Sequence, residues 1–147
     1  MSDEPLRPDP DRLLQHTAAP HRGKLKVFFG ACAGVGKTWA MLAEAQRLRA
    51  QGLDILIGVA ETHGRKETAA MLQGLSTLPP RRLAHRGRYV YEFDLDAALA
   101  RRPALILVDE LAHSNAPGSR HPKRWQDVDE LLEAGIDVFT TVNVQHL

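Results

Sequence analysis

The stretch "KLKVFFGACAGVGKTWAM", residues 24 to 41, constrains this chain more than any other. An apolar, partly β-branched run leads into a glycine-rich loop, and Lys37 and Thr38 open a segment of helical period. A loop in that position has a physical use. Its backbone N–H groups can surround phosphate oxygens, and the following helix N-terminus adds partial positive charge. Glycines permit torsions closed to other residues and a close approach to the ligand. Lys37 is placed to reach the β- and γ-phosphates of a nucleotide, and the Thr38 hydroxyl to meet Mg²⁺. The pattern G-x-x-x-x-G-K-[ST] sets its first glycine slot on Ala31, one place after Gly30. That slot needs a tiny side chain and accommodates a methyl group where the torsion is negative. The more demanding slot, beside the lysine, holds Gly36, and Gly34 adds freedom in mid-loop. Gly30, Ala31, Cys32, Ala33, Gly34, Val35, Gly36, Lys37, Thr38 and Trp39 are therefore the candidate nucleotide-binding segment. The alternative is a structural glycine turn. Cys32 reads either as a small buried side chain or as a redox-sensitive thiol whose oxidation blocks phosphate entry.

The rest of the chain repeats the alternation that this stretch begins. "KVFF" (26–29) reads as a buried strand, and residues 37 to 50 as a helix with Met41, Ala45 and Leu48 on one face and Gly52 as its stop. "DILIGVA" (54–60) is a second strand, and "GRKETAAMLQGL" (64–75) a helix with Ala69, Leu72 and Leu75 at helical spacing. "STLPPRR" reads as a loop, and "HRGRYVYEF" (85–93) holds a short strand. "DLDAALARR" (94–102) is a short helix capped by Asp94, and "ALILV" (104–108) a buried strand. "WQDVDELLEAG" (125–135) is a helix with Trp125, Val128, Leu131 and Leu132 inward and Gly135 as stop; "DVFTTVNV" (137–144) is the last strand. Strands that are nearly all apolar, alternating with helices, predict an α/β fold with a mainly parallel sheet covered by helices on both faces. With the glycine loop, the expectation is a three-layer phosphate-loop NTPase-like fold. Residues 1 to 23, with Pro5, Pro8, Pro10 and Pro20, read as an extended lead-in in which "DPDRLLQH" holds one or two helical turns; residues 24 to 147 read as the nucleotide-binding domain.

The metal side of such a site is expected in "ALILVDELAHSNAPGSRHPKRWQD", where an apolar strand ends in Asp109 and Glu110. A carboxylate there helps hold Mg²⁺ through water, which assigns the metal site to Thr38 and Asp109. A second carboxylate, Glu110, can polarise an attacking water or hydroxyl. In the polar loop that follows, Arg120 and Arg124 are candidates to touch a γ-phosphate; a solvated loop or docking face is the equal alternative. Lys37, Asp109, Glu110, Arg120 and Arg124 thus form the candidate catalytic set. Ligands of parallel sheets bind beyond the carboxyl ends of the strands, which places Glu61, His63, Arg65 and Asn143 near the site. His113, His121 and His146 match no usual metal-ligand spacing. No guanine-reading N-K-x-D occurs, which favours ATP over GTP.

Composition narrows the partners. At 147 residues the chain suits one domain with its own core. A net charge of +1 and 5% aromatic residues argue against a nucleic-acid partner. The single cysteine excludes an internal disulfide and fits a reducing cytoplasm. No apolar run nears the roughly 20 residues that cross a bilayer, so no direct membrane insertion is expected. The charged, proline-rich start is not a secretory signal. Ending directly after an apolar alternating run, the chain reads as a fragment of a longer protein.

Three segments carry a resemblance: "GKLKVFFGACAGVGKTWAMLAEAQ", "GVAETHGR" and "ILVDELAHSNAPGSRHPKRWQDVDELLEAGIDVFTTVNVQHL". Together they closely resemble the N-terminal cytoplasmic domain of the KdpD family of potassium-responsive sensor histidine kinases. The alanine-containing loop looks like that family's own form. The resemblance implies an ATP- and Mg²⁺-binding regulatory domain, with a Walker A loop at 31–38 and a Walker B element at 105–110. It implies continuation into a universal-stress-like domain, a membrane-spanning region and a histidine kinase module in the bacterial inner membrane, with this domain on the cytoplasmic side. The implied partners are those remaining domains, the response regulator KdpE through the kinase module, and the potassium pump, whose expression the pathway controls. Two other readings of the residues stay open at this point: a Walker-type serine/threonine kinase passing the ATP γ-phosphate to a partner protein, and a slow regulatory ATPase.

Overall fold

The computed structural model describes residues 21–30 and 36–144. The helical turns expected in "DPDRLLQH" lie outside the described residues. In chain order the elements are β1 (Leu25–Gly30), α1 (Lys37–Ala50), β2 (Ile55–Val59), α2 (Lys66–Ala70), β3 (Ser76–Thr77), β4 (Arg81–His85), β5 (Arg88–Glu92), α3 (Leu95–Arg101), β6 (Leu105–Val108), α4 (Arg124–Glu133) and β7 (Asp137–Asn143). Five strands form one sheet in the order β1-β7-β6-β2-β3, and every neighbouring pair is parallel.

The apolar strands are explained by burial on both faces. In β6, Leu105 and Leu107 pack with Met41, Leu42 and Ala45 of α1, while Ile106 and Val108 pack with Ala98 of α3 and with Val128, Leu131 and Leu132 of α4. All four β6 side chains are buried, which is why the strand reads as an uninterrupted apolar run rather than an alternation. Burying each such side chain contributes about 1.5–3 kcal/mol. Helices on both faces of a mainly parallel sheet agree with the expected α/β class.

Four local expectations are corrected. β1 stands at a sheet edge rather than buried inside: Phe29 is 58% exposed, although Phe28 packs edge-on against Phe139 at 5.3 Å. The helix expected over 64–75 spans only Lys66–Ala70. Its apolar spacing was real, but a turn with Gly74 at φ +82° ends it and delivers Leu75 to the core and Ser76–Thr77 to the sheet edge. The "STLPPRR" loop and "HRGRYVYEF" contain an antiparallel hairpin, β4 with β5, turned by Arg86 and Gly87, both at positive φ. Prolines 79 and 80 and an arginine in place of the usual Asn-Gly turn hid it. Trp125 is 54% exposed, not inward. The inward stripe of α4 is Arg124, Asp127, Val128, Leu131 and Leu132, spaced i, i+3, i+4, i+7 and i+8, so a charged residue and not the tryptophan begins it. No helix among the described residues is long and apolar enough to cross a membrane.

Candidate functional site

The carboxyl ends of β1, β2, β6 and β7 converge where α1 begins. Gly36 caps α1 at φ 73°, ψ −29°, and its carbonyl accepts the Ala40 N–H at 2.8 Å. A side chain there would meet nothing within 4 Å, so the requirement is for the left-handed backbone and not for space. Among the described residues no side chain caps α1, which leaves its N-terminal dipole facing the site. Gly30 has the opposite reason for being glycine. A Cβ on it would stand 2.9 Å from Lys37 Cδ, so the lysine stem lies over the end of β1. Lys37 and Thr38 are both buried. Ala31, Cys32, Ala33, Gly34 and Val35 lie outside the described residues.

Asp109 is the hub. It has no solvent exposure, and one carboxylate oxygen accepts the Thr38 hydroxyl at 3.0 Å and the Glu61 N–H at 2.8 Å. The other accepts the Thr141 hydroxyl. Its carbonyl accepts from Arg124 Nη1 at 2.7 Å. A buried carboxylate costs free energy unless its lone pairs are satisfied, and three donors do that here. The Thr38 hydroxyl spends its proton on Asp109, which leaves an oxygen lone pair for a cation. Glu110 follows at φ 63°, a left-handed conformation uncommon outside glycine and asparagine. Its N–H donates to the Thr141 hydroxyl at 2.9 Å. That one hydroxyl therefore fixes both acidic residues. Thr141 was missed by sequence reasoning; the signal was the pair Thr140-Thr141 inside an apolar strand, both fully buried.

A cavity of about 170 Å³ opens beside these groups, lined by Lys37, His63, Glu110, Ala112, His113, Thr141, Val142 and Asn143. Glu110 and His113 also line a neighbouring cleft of about 360 Å³ that includes Glu61, Tyr91, Glu92 and Arg124. His113 Nε2 lies 2.9 Å from Glu92 Oε1, and Glu92 also accepts the Ala116 N–H at 2.7 Å.

With this geometry in hand, comparison with known proteins is decisive about ancestry. The profile of a family described as "KdpD: Osmosensitive K+ channel His kinase sensor domain" matches residues 21–147. This chain belongs to the KdpD sensor domain family. The "Sensor protein KdpD" of Escherichia coli (strain K12) is 86% identical over 147 residues, all of this chain and 16% of that protein. The "Sensor protein KdpD" of Mycobacterium tuberculosis (strain H37Rv) is 52% identical over 135 residues, 92% of this chain and 16% of that protein. A "Putative sensor protein KdpD" of Synechocystis sp. is 54% identical over 136 residues, 92% of this chain and 37% of that protein. The chain thus spans a small part of the length of these relatives. Lys37, Thr38, Asp109, Glu110 and Thr141 all lie inside the span matched by the KdpD family.

Of the residues singled out from the sequence, Lys37, Thr38, Asp109, Glu110, His63 and Asn143 come together at this cavity or its wall. Glu61 contributes its backbone N–H to Asp109, and the residue lines the larger cleft. Arg65 immediately precedes α2, and Trp39 is 45% exposed on α1; neither lines the cavity. Arg120 is held away from it by Asp96 and Glu130. Arg124 is buried at the start of α4 and braces Asp109 from behind, while its Nε finds no partner among the described residues. Burial pulls its guanidinium below the usual range, opposed by the nearby carboxylates, Glu92 foremost. His113 and His121 bond to different carboxylates, Glu92 and Glu130, and His146 lies outside the described residues.

Proposed function

We propose that this domain binds ATP with Mg²⁺ through a phosphate-loop NTPase-like site formed within residues 24–147, and that it serves as the regulatory domain of a sensor histidine kinase. The observation that carries this reading is the 3.0 Å bond between Thr38 and the buried Asp109, joining helix start and strand end across 71 positions beside buried Lys37. Lys37 and the uncapped start of α1 supply positive charge to the phosphates. Thr38 and Asp109 would hold the metal, Thr38 through its hydroxyl oxygen and Asp109, whose lone pairs already accept three donors, by orienting that hydroxyl. When bound there, the metal would supply positive charge to offset that of the phosphates. Glu110 and His113, which separate the two cavities, stand where a γ-phosphate would bias their positions, and this is the route proposed from nucleotide to output.

By the same reading the domain lies on the cytoplasmic side of a longer membrane protein. Its kinase module would act on the response regulator KdpE and so govern expression of potassium uptake. The test is Mg-ATP binding by titration calorimetry. Lys37→Ala is expected to weaken it by about a hundredfold, from loss of a desolvated charge–phosphate contact. Unchanged affinity in a folded variant would overturn the reading.

A further inference from the structure

The β4–β5 hairpin forms a two-stranded sheet of its own. Residues 81 to 92 carry four arginines, 81, 82, 86 and 88, against a single acid, Glu92, in a chain whose net charge is only +1. Glu92 is buried and engaged by His113 and Ala116, while the four arginines are exposed. Among the described residues none of the four is paired with a carboxylate; Arg82 instead lies over the Tyr89 ring at 4.2 Å. The register sets Arg82 opposite Tyr91 and Ala84 opposite Tyr89, so these four share one face. Tyr89 and Tyr91 are 58% and 61% exposed, whereas Leu83 on the other face is buried. The outward face is therefore a platform of two rings and the Arg82 guanidinium, side-chain types that carry much of the binding energy at protein interfaces, while the exposed Arg81 and Arg88 stand on the other face with Leu83. Among the described residues neither outer edge of the hairpin is paired to another strand.

We propose that this hairpin docks an acidic protein segment, laid along its edge in extended form. Charge decides the occupant. A second copy of the hairpin would set arginine against arginine, and edge charges of one sign block self-pairing. A strand added at an outer edge, with carboxylates at alternate positions, pairs with the edge backbone and meets Arg81 and Arg88 on one face in charge-assisted hydrogen bonds. The tyrosines then cover its intervening side chains.

Fluorescence anisotropy of a labelled peptide of alternating Glu and Val, added to the whole chain, tests this. Binding that weakens steeply with salt is expected. Arg81→Glu combined with Arg88→Glu should reduce affinity by about tenfold or more without moving the thermal midpoint. Should that variant fail to fold, Arg81→Gln with Arg88→Gln gives the same reading at smaller size. The peptide with Lys in place of Glu should not bind. No binding of the Glu peptide, binding undiminished by charge removal, or preference for an oligothymidylate strand or phosphatidylglycerol vesicles over the peptide would each overturn the proposal.

Discussion

The end of β6 and the loop that follows it are both rich in polar groups, yet they use them in opposite ways. At the strand end the donors converge: Thr38, Thr141 and the Glu61 N–H all aim at the one carboxylate of Asp109. In the loop the charges satisfy one another locally. Arg120 pairs with Asp96 and Glu130, Lys123 reaches Ser114 at 2.7 Å, and Asn115 Nδ2 donates to the His121 carbonyl and to Asp127, both at 2.9 Å. Convergence on a buried group orders a site, whereas local pairing orders a loop. Of the two arginines placed near the phosphate from sequence, Arg120 is spent on the second task and Arg124 on bracing Asp109.

That contrast can be broken by substitution. Asp109→Ala should cost the most, about 3–4 kcal/mol of unfolding free energy in urea titration, because buried donors are left without an acceptor. A loss under about 1 kcal/mol would show that Asp109 is no hub. The loop should respond to pH instead. Burial holds the Asp127 carboxyl above its usual range, against the lowering bond from Asn115. The folded chain then takes up this proton more readily than the unfolded one. The contribution is fully present below the unfolded value near ~3.9 and is lost as pH rises through the raised folded value. Asp127→Asn should flatten that decline and change stability at neutral pH by within about 1 kcal/mol; a decline of unchanged slope would locate its cause elsewhere. The smallest effect is expected from Arg120→Ala, about 0.5 kcal/mol for an exposed ion pair, with Mg-ATP affinity unchanged. A tenfold loss of affinity would move Arg120 into the site and dissolve the contrast.

What could be read from the sequence followed what periodicity encodes. Strands β2, β6 and β7 and helices α1 and α4 are long or apolar enough to announce themselves, and Asp94 caps α3 as expected, accepting the Ala97 N–H at 3.1 Å. Lys37, Thr38 and Asp109 were legible because a phosphate-cradle pattern fixes residue types at fixed places. Thr141 was not, since a hydroxyl in a strand carries no pattern, and its partners stand 32 positions or so upstream. Arg124 misled for the converse reason. A charged residue at a helix start is ordinarily solvated, and only the fold of the loop makes a buried acceptor, the Asp109 carbonyl, available to it. Strand β1 misled because apolar character specifies burial without specifying which neighbours supply it.

The pairing of β1 with β7 also governs when the domain can exist during its own synthesis. These are the first and last strands among the described residues, and the bond from Lys24 to Asp137 joins positions 113 apart. Long-range parallel pairing pays its closure entropy before it returns any contact energy, so it comes late. At ribosomal speeds of about 5–20 residues per second, β1 waits on the order of ten seconds for its partner. Throughout that interval Thr141 is missing too, so the Asp109 cluster has no complete form on a nascent chain.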